Sequence, residues 1–168
     1  MPDKAEKTNA MRLLDARKVP YIVHHYTYSA QVHSADEVAA ALGLPSGQVF
    51  KTLVVMPEKG RPFLAIVPGD RELDLKKMAQ ATHQKKARMA TQREAESLTG
   101  LLVGGISALA LTNKGFKVFL DASANHYQQI LVSAGQRGIN LQLAVQDLVV
   151  VVSARLADLV RASDGVEG

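Results

Sequence analysis

Hydrophobic and polar positions along the chain form two patterns. In some segments the apolar residues recur at helical spacing, and in others they form continuous runs. Apolar residues at helical spacing, several of them behind a capping residue, predict helices over residues 5–18, 35–42, 75–81 and 92–99. Continuous apolar runs with many β-branched residues predict strands over residues 21–26, 49–55, 62–67, 87–89, 117–121, 129–133 and 139–143. A further strand is expected to start at residue 101 and to run into a pair of glycines.

The C-terminal part of the chain is less clearly patterned. Residues 144–150 and 153–162 are expected to form helical turns, although the run from Val149 to Val152 is also compatible with a strand. Because helices and strands are interspersed, the pattern predicts a mixed α/β (α+β) class with one central sheet. A turn at residues 56–60 predicts a hairpin, so the sheet should be partly antiparallel. We expect one domain over residues 1–168, with its core at about 5–162.

One lysine interrupts the apolar strand at residues 49–55. Lysine is almost never fully buried unless it is paired, so Lys51 has two interpretations. It could lie on an edge strand and extend its ammonium group to water along an apolar surface. Alternatively, it could line a pocket that takes an anionic or carbonyl-bearing ligand. The strand alone does not decide between these interpretations.

Composition excludes several classes of site. The chain has 47% hydrophobic and 21% charged residues and no cysteine, so disulfides, thiolate zinc sites and a cysteine nucleophile are ruled out. His24 and His25 are adjacent on a predicted strand and should point to opposite faces, which disfavours a zinc site with His33. No metal or cofactor is expected. The polar N-terminus and the lack of a long apolar run predict a cytoplasmic protein that does not cross a membrane.

The net charge of +4 is unevenly distributed. Cations cluster between residues 71 and 93: Arg71, Lys76, Lys77, Lys85, Lys86, Arg88 and Arg93. Such a cluster is compatible with a face that binds phosphates and equally with a solvated helix surface.

Two glycine-containing stretches complete the candidate chemistry. Gly104 and Gly105 could bring backbone N–H groups close to a ligand, or could simply form a turn. The second stretch, Ser133-Ala134-Gly135-Gln136-Arg137-Gly138, is a turn of mostly small residues between two predicted strands.

Taken together with Phe50-Lys51-Thr52-Leu53, these stretches resemble the YbaK/EbsC family of aminoacyl-tRNA deacylases. That family is related to the editing domain of bacterial prolyl-tRNA synthetases. The resemblance covers nearly the whole chain and implies a mixed, barrel-like sheet flanked by helices. It also implies trans-editing, which is hydrolysis of the ester that joins a wrong amino acid to tRNA, with Cys-tRNA(Pro) as the usual substrate. The implied partners are the 3′ end of the mischarged tRNA and prolyl-tRNA synthetase.

The resemblance also implies which residues form the site. The catalytic residues would be Lys51, Gly104, Gly105 and Ser133, and the substrate-binding residues would be Tyr26, Ser34, Ile106, Ser107, Gly135 and Asn140. Lys51 would hold the terminal phosphate or ribose, or polarise the ester, and glycine N–H groups would stabilise the oxyanion. Ser133 is expected to donate a hydrogen bond rather than to act as a nucleophile. In this family the cysteine substrate supplies its own attacking thiol.

Three positions depart from the family pattern. Ala108 stands where proline often follows the serine, Asn140 replaces a frequent acid, and Val145 replaces a usual proline. These changes put the preferred amino acid in doubt. They also leave open a module that binds a tRNA end, nucleotide or anion without hydrolysing it.

Overall fold

The computed structural model describes residues 7–162. Its helices are α1 (Asn9–Ala16), α2 (Ala35–Leu42), α3 (Leu75–Thr82), α4 (Gln92–Thr99) and α5 (Val145–Val152). Its strands are β1 (Ile22–His25), β2 (Phe50–Pro57), β3 (Phe63–Pro68), β4 (Ala87–Met89), β5 (Lys117–Asp121), β6 (Gln129–Ser133), β7 (Ile139–Ala144) and β8 (Arg155–Ala157). Short 3-10 helices occupy Ser46–Gln48, Leu109–Lys114 and Ala122–His126.

The strands form two sheets rather than the single sheet expected. One has the order β4-β2-β3-β5-β8 and the other the order β1-β7-β6. Strands β3, β5 and β8 run parallel to one another and all other pairs are antiparallel, which confirms a partly antiparallel arrangement. A single parallel bridge between Val49 and Leu131 connects the two sheets. The mixed class is therefore confirmed, whereas barrel-like closure is not.

Strand β3 explains where the core lies. Every residue of β3 is buried, and its side chains alternate between two hydrophobic clusters. Leu64 and Ile66 pack into the cluster shared with the three-stranded sheet, and Ala65 and Val67 pack on the opposite face. A strand covered on both faces needs apolar side chains at every position, which accounts for the continuous run in the sequence.

The predicted helix starts at α2 and α4 are confirmed. Ser34 and Thr91 are N-caps that accept from the N–H groups of Glu37 and Glu94, and each glutamate accepts in return from the cap. Both helices end at glycines in the left-handed region. Asp74 likewise caps α3 by accepting from Lys76 and Lys77. These contacts satisfy N–H groups that have no partner inside the helix.

The capping glutamate of α4 provides a test by pH. Arg88 donates to both carboxylate oxygens of Glu94, at 2.8 and 2.9 Å, and this pair, together with the hydrogen bond from the Thr91 N–H, lowers the pKa of Glu94 to about 2. A group whose pKa is lower in the folded protein stabilises the fold above its unfolded pKa, and that stabilisation is lost as the pH falls. Glu94→Gln is therefore expected to lower Tm at pH 7, and the difference from wild type should shrink between about pH 4.5 and about pH 2. Thermal melts across that range would measure it.

A matched substitution serves as the control for that titration. Glu58 lies exposed in the β2–β3 turn and makes no hydrogen bond or ion pair within residues 7–162. Glu58→Gln should leave Tm nearly unchanged across the same range. Equal shifts for the two variants would contradict a specific role for the Arg88–Glu94 pair.

Two predicted elements near the glycines and the C-terminus are wrong. Residues 101–103 form a turn, because the Gly105 N–H donates to the Leu102 carbonyl and the Val103 N–H donates to Glu96. Residues 153–162 are not helical. Helix α5 ends at Ser153, whose φ of 54° is left-handed, and the chain then adds β8 to the parallel edge of β5. Pairing with that sheet edge outweighed the local pattern.

The two remaining differences are smaller. The ambiguous run from Val149 to Val152 belongs to α5. Helix α1 begins behind its N-cap Thr8 and ends at Ala16, short of the predicted residue 18, because Lys18 adopts a φ of 58°. Residues 5 and 6 lie outside the described residues. Across residues 7–162, each helix is too short or too polar to span a lipid bilayer.

Candidate active site

A cavity of about 290 Å³ opens where the two sheets meet. The first half of β2 forms its floor, and the β1–α2 connection, the loop around Gly104, and strands β6 and β7 form its walls. The residues that line it are Tyr26, Tyr28, His33, Ser34, Ala35, Asp36, Val38, Val49, Phe50, Lys51, Thr52, Leu53, Gly69, Val103, Gly104, Ile106, Ser133 and Asn140. Most of the residues that the sequence singled out therefore face one space.

Lys51 lies on the floor of this cavity, in the first half of β2. Strand β2 lies between β4 and β3, but β4 pairs only with Val55–Pro57, so at Lys51 the ladder partner is Val67 of β3 alone. The side chain is half-buried, and no carboxylate of the described residues lies within ion-pair distance of it. A partly desolvated ammonium without a counter-ion attracts anionic or carbonyl oxygens.

The two glycines differ in what their N–H groups can do. The Gly105 N–H is used in the turn with Leu102, at 2.8 Å. The Gly104 N–H donates to no acceptor within residues 7–162, and Gly104 lines the cavity with a φ of 97°. Of this pair, only Gly104 is thus able to donate to a bound oxygen.

Gly104 also lies against an aromatic ring. A Cβ atom built on Gly104 would be 2.9 Å from Cε2 of Tyr28, a separation that real Cβ atoms do not adopt. Residue 104 must therefore be glycine for two reasons, its positive φ and the closeness of Tyr28. A Cβ at Gly105 would be 3.0 Å from the backbone nitrogen of Arg137, so Gly105 lets the two loops approach each other.

Ser133 and Asn140 form a polar pair on the adjacent strands. They are directly opposite each other in the β6–β7 ladder, and both line the cavity. The Ser133 hydroxyl accepts from the Gly135 N–H at 3.1 Å and keeps its own hydrogen for a ligand. Asn140 is only 6% exposed, and its side-chain amide makes no hydrogen bond within residues 7–162. Since no described histidine or carboxylate is hydrogen-bonded to Ser133, a nucleophilic role lacks its base.

Of the other predicted site residues, some line the cavity and others do not. Tyr26 and Ile106 line the cavity, and Tyr26 is held by its N–H bond to the Gly138 carbonyl at 2.9 Å. Ser34 also lines it, but its hydroxyl already donates to Asp36 at 2.6 Å. Gly105, Ser107 and Gly135 do not line the cavity. Ser107 is fully buried, and its hydroxyl accepts from the Ala110 N–H at 3.3 Å.

Several wall residues were not singled out by sequence reasoning. His33 and Asp36 carry no signal beyond their place around a helix cap. Gly69 allows the first turn of α2 to approach β2, since a Cβ there would be 2.5 Å from the Cβ of Ala35. Tyr28 was not among the predicted site residues, although its spacing from Tyr26 is that of two residues on one side of a strand, which is compatible with the rim of a pocket and equally with strand packing.

The basic cluster of residues 71–93 extends from the turn before α3, through the α3–β4 loop and β4, to the start of α4, and β4 pairs with the far end of β2. Some of its charges are used internally, because Lys77 pairs with Asp158 at 3.0 Å and Arg88 pairs with Glu94. The exposed members without an ion pair within residues 7–162 are Lys76, Lys85, Lys86 and Arg93. Residues 7–162 as a whole contain no group of three histidine or acidic side chains placed to hold a metal ion.

Comparison with known proteins places this geometry in a family. A family model described as an aminoacyl-tRNA editing domain matches residues 29–150. EbsC of Enterococcus faecalis, named as a Cys-tRNA(Pro)/Cys-tRNA(Cys) deacylase, is 39% identical over 154 residues, which are 92% of this chain and 93% of EbsC. The proline–tRNA ligase of Pediococcus pentosaceus is 33% identical over 112 residues, which are 66% of this chain and 19% of the ligase.

A solved structure gives the same relation. The crystal structure named as a trans-editing enzyme for prolyl-tRNA synthetase has a TM-score of 0.77 and 27% sequence identity, covering 94% of this chain and 100% of its own. The residues matched by the family model include every residue that lines the cavity except Tyr26 and Tyr28. The chain therefore belongs to the aminoacyl-tRNA editing-domain family.

Proposed function

We propose that this protein is an aminoacyl-tRNA deacylase that removes cysteine from Cys-tRNA(Pro). The observation that carries the proposal is Lys51, a half-buried cation on the floor of the same cavity that Gly104 lines; within residues 7–162, Lys51 has no carboxylate partner and the Gly104 N–H has no acceptor. An ester develops negative charge on its carbonyl oxygen as it is attacked, and fixed donors stabilise that charge. Family membership and the names of EbsC and the trans-editing enzyme support the same reaction.

The size of the cavity fits a small ligand portion. Pockets for drug-sized ligands start at about 300 Å³, so a space of about 290 Å³ accommodates an aminoacyl ester and its ribose better than a whole nucleotide. Its polar groups come from Lys51, Gly104, Ser133 and Asn140, while Phe50, Leu53 and Ile106 supply apolar surface. A small amino acid side chain such as that of cysteine suits this lining.

The reaction that we propose needs no protein nucleophile. The substrate's thiol sulfur attacks its own ester carbonyl, a cyclic thioester forms, and the tRNA hydroxyl leaves with the thiol proton. Water then opens the thioester to free cysteine. The protein contributes by holding thiol and carbonyl in contact and by binding the oxyanion through the Gly104 N–H and Lys51. Ser133 and Asn140 donate hydrogen bonds to the substrate, and Gly105, Ser107 and Gly135 hold the loops in place.

The cellular setting is part of the proposal. We infer that the protein acts in the cytoplasm on tRNA charged by prolyl-tRNA synthetase, and that it contacts this synthetase. The match to a proline–tRNA ligase over 66% of the chain supports that link. The exposed cations Lys76, Lys85, Lys86 and Arg93 supply a face for the phosphate backbone of tRNA.

A deacylation panel tests the proposed function. Wild-type protein is incubated with proline tRNA charged with cysteine, alanine, serine or proline, and the loss of each ester is timed. We expect rapid loss of cysteine alone. Cleavage of alanine or serine would show that water attacks directly. If no ester is cleaved, the enzyme proposal fails, and the non-hydrolytic module, to which the neutral Asn140 points, becomes the better description.

A further inference from the structure

Arg137 has no role in the reaction proposed above. It lies in the turn between β6 and β7 and contacts two residues that line the cavity, Val103 and Tyr28. Arg137 was not among the predicted site residues, although it belongs to the same stretch as Ser133 and Gly135.

The guanidinium group is held in one position by two contacts. Its Nε donates to the Val103 carbonyl at 2.8 Å, and its central carbon lies 4.4 Å from the centre of the Tyr28 ring. Tyr28 itself lies against Gly104 and forms a T-shaped pair with the His33 ring, with the ring centres 6.4 Å apart. Stacking on an aromatic face and one backbone hydrogen bond remove most of the rotamer freedom of an arginine.

The rest of the guanidinium is unused. Within residues 7–162, its two terminal nitrogens donate to no acceptor, and no carboxylate lies within 4.0 Å. Glu96 is bonded to the same loop, but its carboxylate accepts from the Val103 N–H, at 2.9 Å, and not from Arg137. A fixed guanidinium with free N–H groups matches the geometry of a phosphate, and little entropy is lost when it binds one.

We propose that Arg137 binds the 5′-phosphate of the terminal nucleotide of the substrate tRNA. This inference rests on the proposed function, because the ester is attached to the ribose of that nucleotide. The phosphate is the first anion beyond the ribose, so it reaches the surroundings of the cavity when the ester is inside. Arg137 stands beside the cavity, bound to its wall, whereas Lys51 stands within it. Lys51 is then left to act on the ester or ribose, and Tyr28 positions Arg137.

A pair of small ligands isolates the phosphate contact. Adenosine and adenosine 5′-monophosphate differ only in the phosphate, and their binding to the protein is measured by NMR titration without any need for hydrolysis. Wild type is expected to bind the monophosphate about tenfold more tightly than adenosine. Arg137→Gln should lose this preference and keep its affinity for adenosine. Arg137→Lys retains a positive charge without the planar guanidinium, so it should still bind the monophosphate about threefold more tightly than adenosine.

Arg61→Gln is the matched control. Arg61 also donates to a backbone carbonyl, that of Lys114 at 2.8 Å, but it lies in the β2–β3 turn, at the opposite end of β3 from the cavity. This variant should keep the full preference for the monophosphate. An equal loss in both arginine variants would show a general effect of net charge and overturn the proposal.

Other outcomes separate this contact from the enzyme proposal. If Arg137→Gln weakens both ligands equally, Arg137 only holds the Val103 loop and the phosphate contact is wrong. If wild type shows no preference for the monophosphate but deacylates Cys-tRNA(Pro), the contact is wrong and the function stands. If the Arg137-dependent preference is found but no ester is cleaved, the contact stands and the deacylase proposal fails.

Discussion

Lys51→Met is expected to lower kcat/KM for deacylation of Cys-tRNA(Pro) by at least about 100-fold, a typical cost of losing one donor to an oxyanion. Methionine keeps an unbranched apolar stem that is one atom shorter than the lysine side chain, and it removes the charge and the donors. Because Lys51 is half-buried without an ion-pair partner among the described residues, the substitution should not lower Tm, and it should raise Tm slightly. Timed deacylation and thermal melts on the same preparation measure both effects.

The control for this variant is Lys117→Met. Lys117 is also a strand lysine, the first residue of β5, but it is exposed and does not line the cavity. Its replacement should leave deacylation within about twofold of wild type, as surface substitutions away from a site usually do. If Lys51→Met keeps wild-type activity, Lys51 does not take part in the reaction. If the variant loses activity and its Tm falls as well, the role of Lys51 is structural.

Gly104→Ala is expected to lower deacylation activity nearly as much as Lys51→Met, because of a steric clash rather than a lost charge. The new Cβ would lie 2.9 Å from the Tyr28 ring, at a residue whose φ is 97°. Either the ring or the loop must move, and the Gly104 N–H then leaves its place on the cavity wall. We expect a loss of about 100-fold in kcat/KM and about 1–3 kcal/mol of stability, measured by deacylation and by urea unfolding.

Gly60→Ala separates the two causes. Gly60 has nearly the same φ, 103°, but no atom of residues 7–162 lies within 4 Å of a Cβ built there. Its substitution should cost about 1 kcal/mol from the positive φ alone and leave deacylation unchanged. If Gly104→Ala has no larger effect than Gly60→Ala on stability and activity, contact with Tyr28 does not constrain the site.

The candidate site was partly visible in the sequence. Lys51 was conspicuous because a charge within an apolar strand needs an explanation. The strand could not show whether Lys51 reaches water or a cavity, since the answer depends on what packs beside β2. The structure places the Gly104 loop, the β1–α2 connection and strands β6 and β7 around it.

The paired glycines show a second limit. In the sequence Gly104 and Gly105 are equivalent neighbours. In the structure the Gly105 N–H donates to the Leu102 carbonyl, whereas the Gly104 N–H finds no acceptor within residues 7–162. Arg137 is a third case, because its importance depends on Tyr28 and Val103, which are more than thirty residues away along the chain.

What the sequence determined by itself was local. The capping boxes at Ser34 and Thr91, the continuous apolar run of β3 and the β2–β3 hairpin follow from hydrogen bonds and burial within a few residues, and all were predicted correctly. The spaced motifs also identified the family. Only the tertiary structure decided that residues 155–157 form a strand, since the free edge of β5 lies far away in sequence. It alone also decided which groups meet around Lys51, because a cavity forms where distant segments pack and fail to fill the space between them.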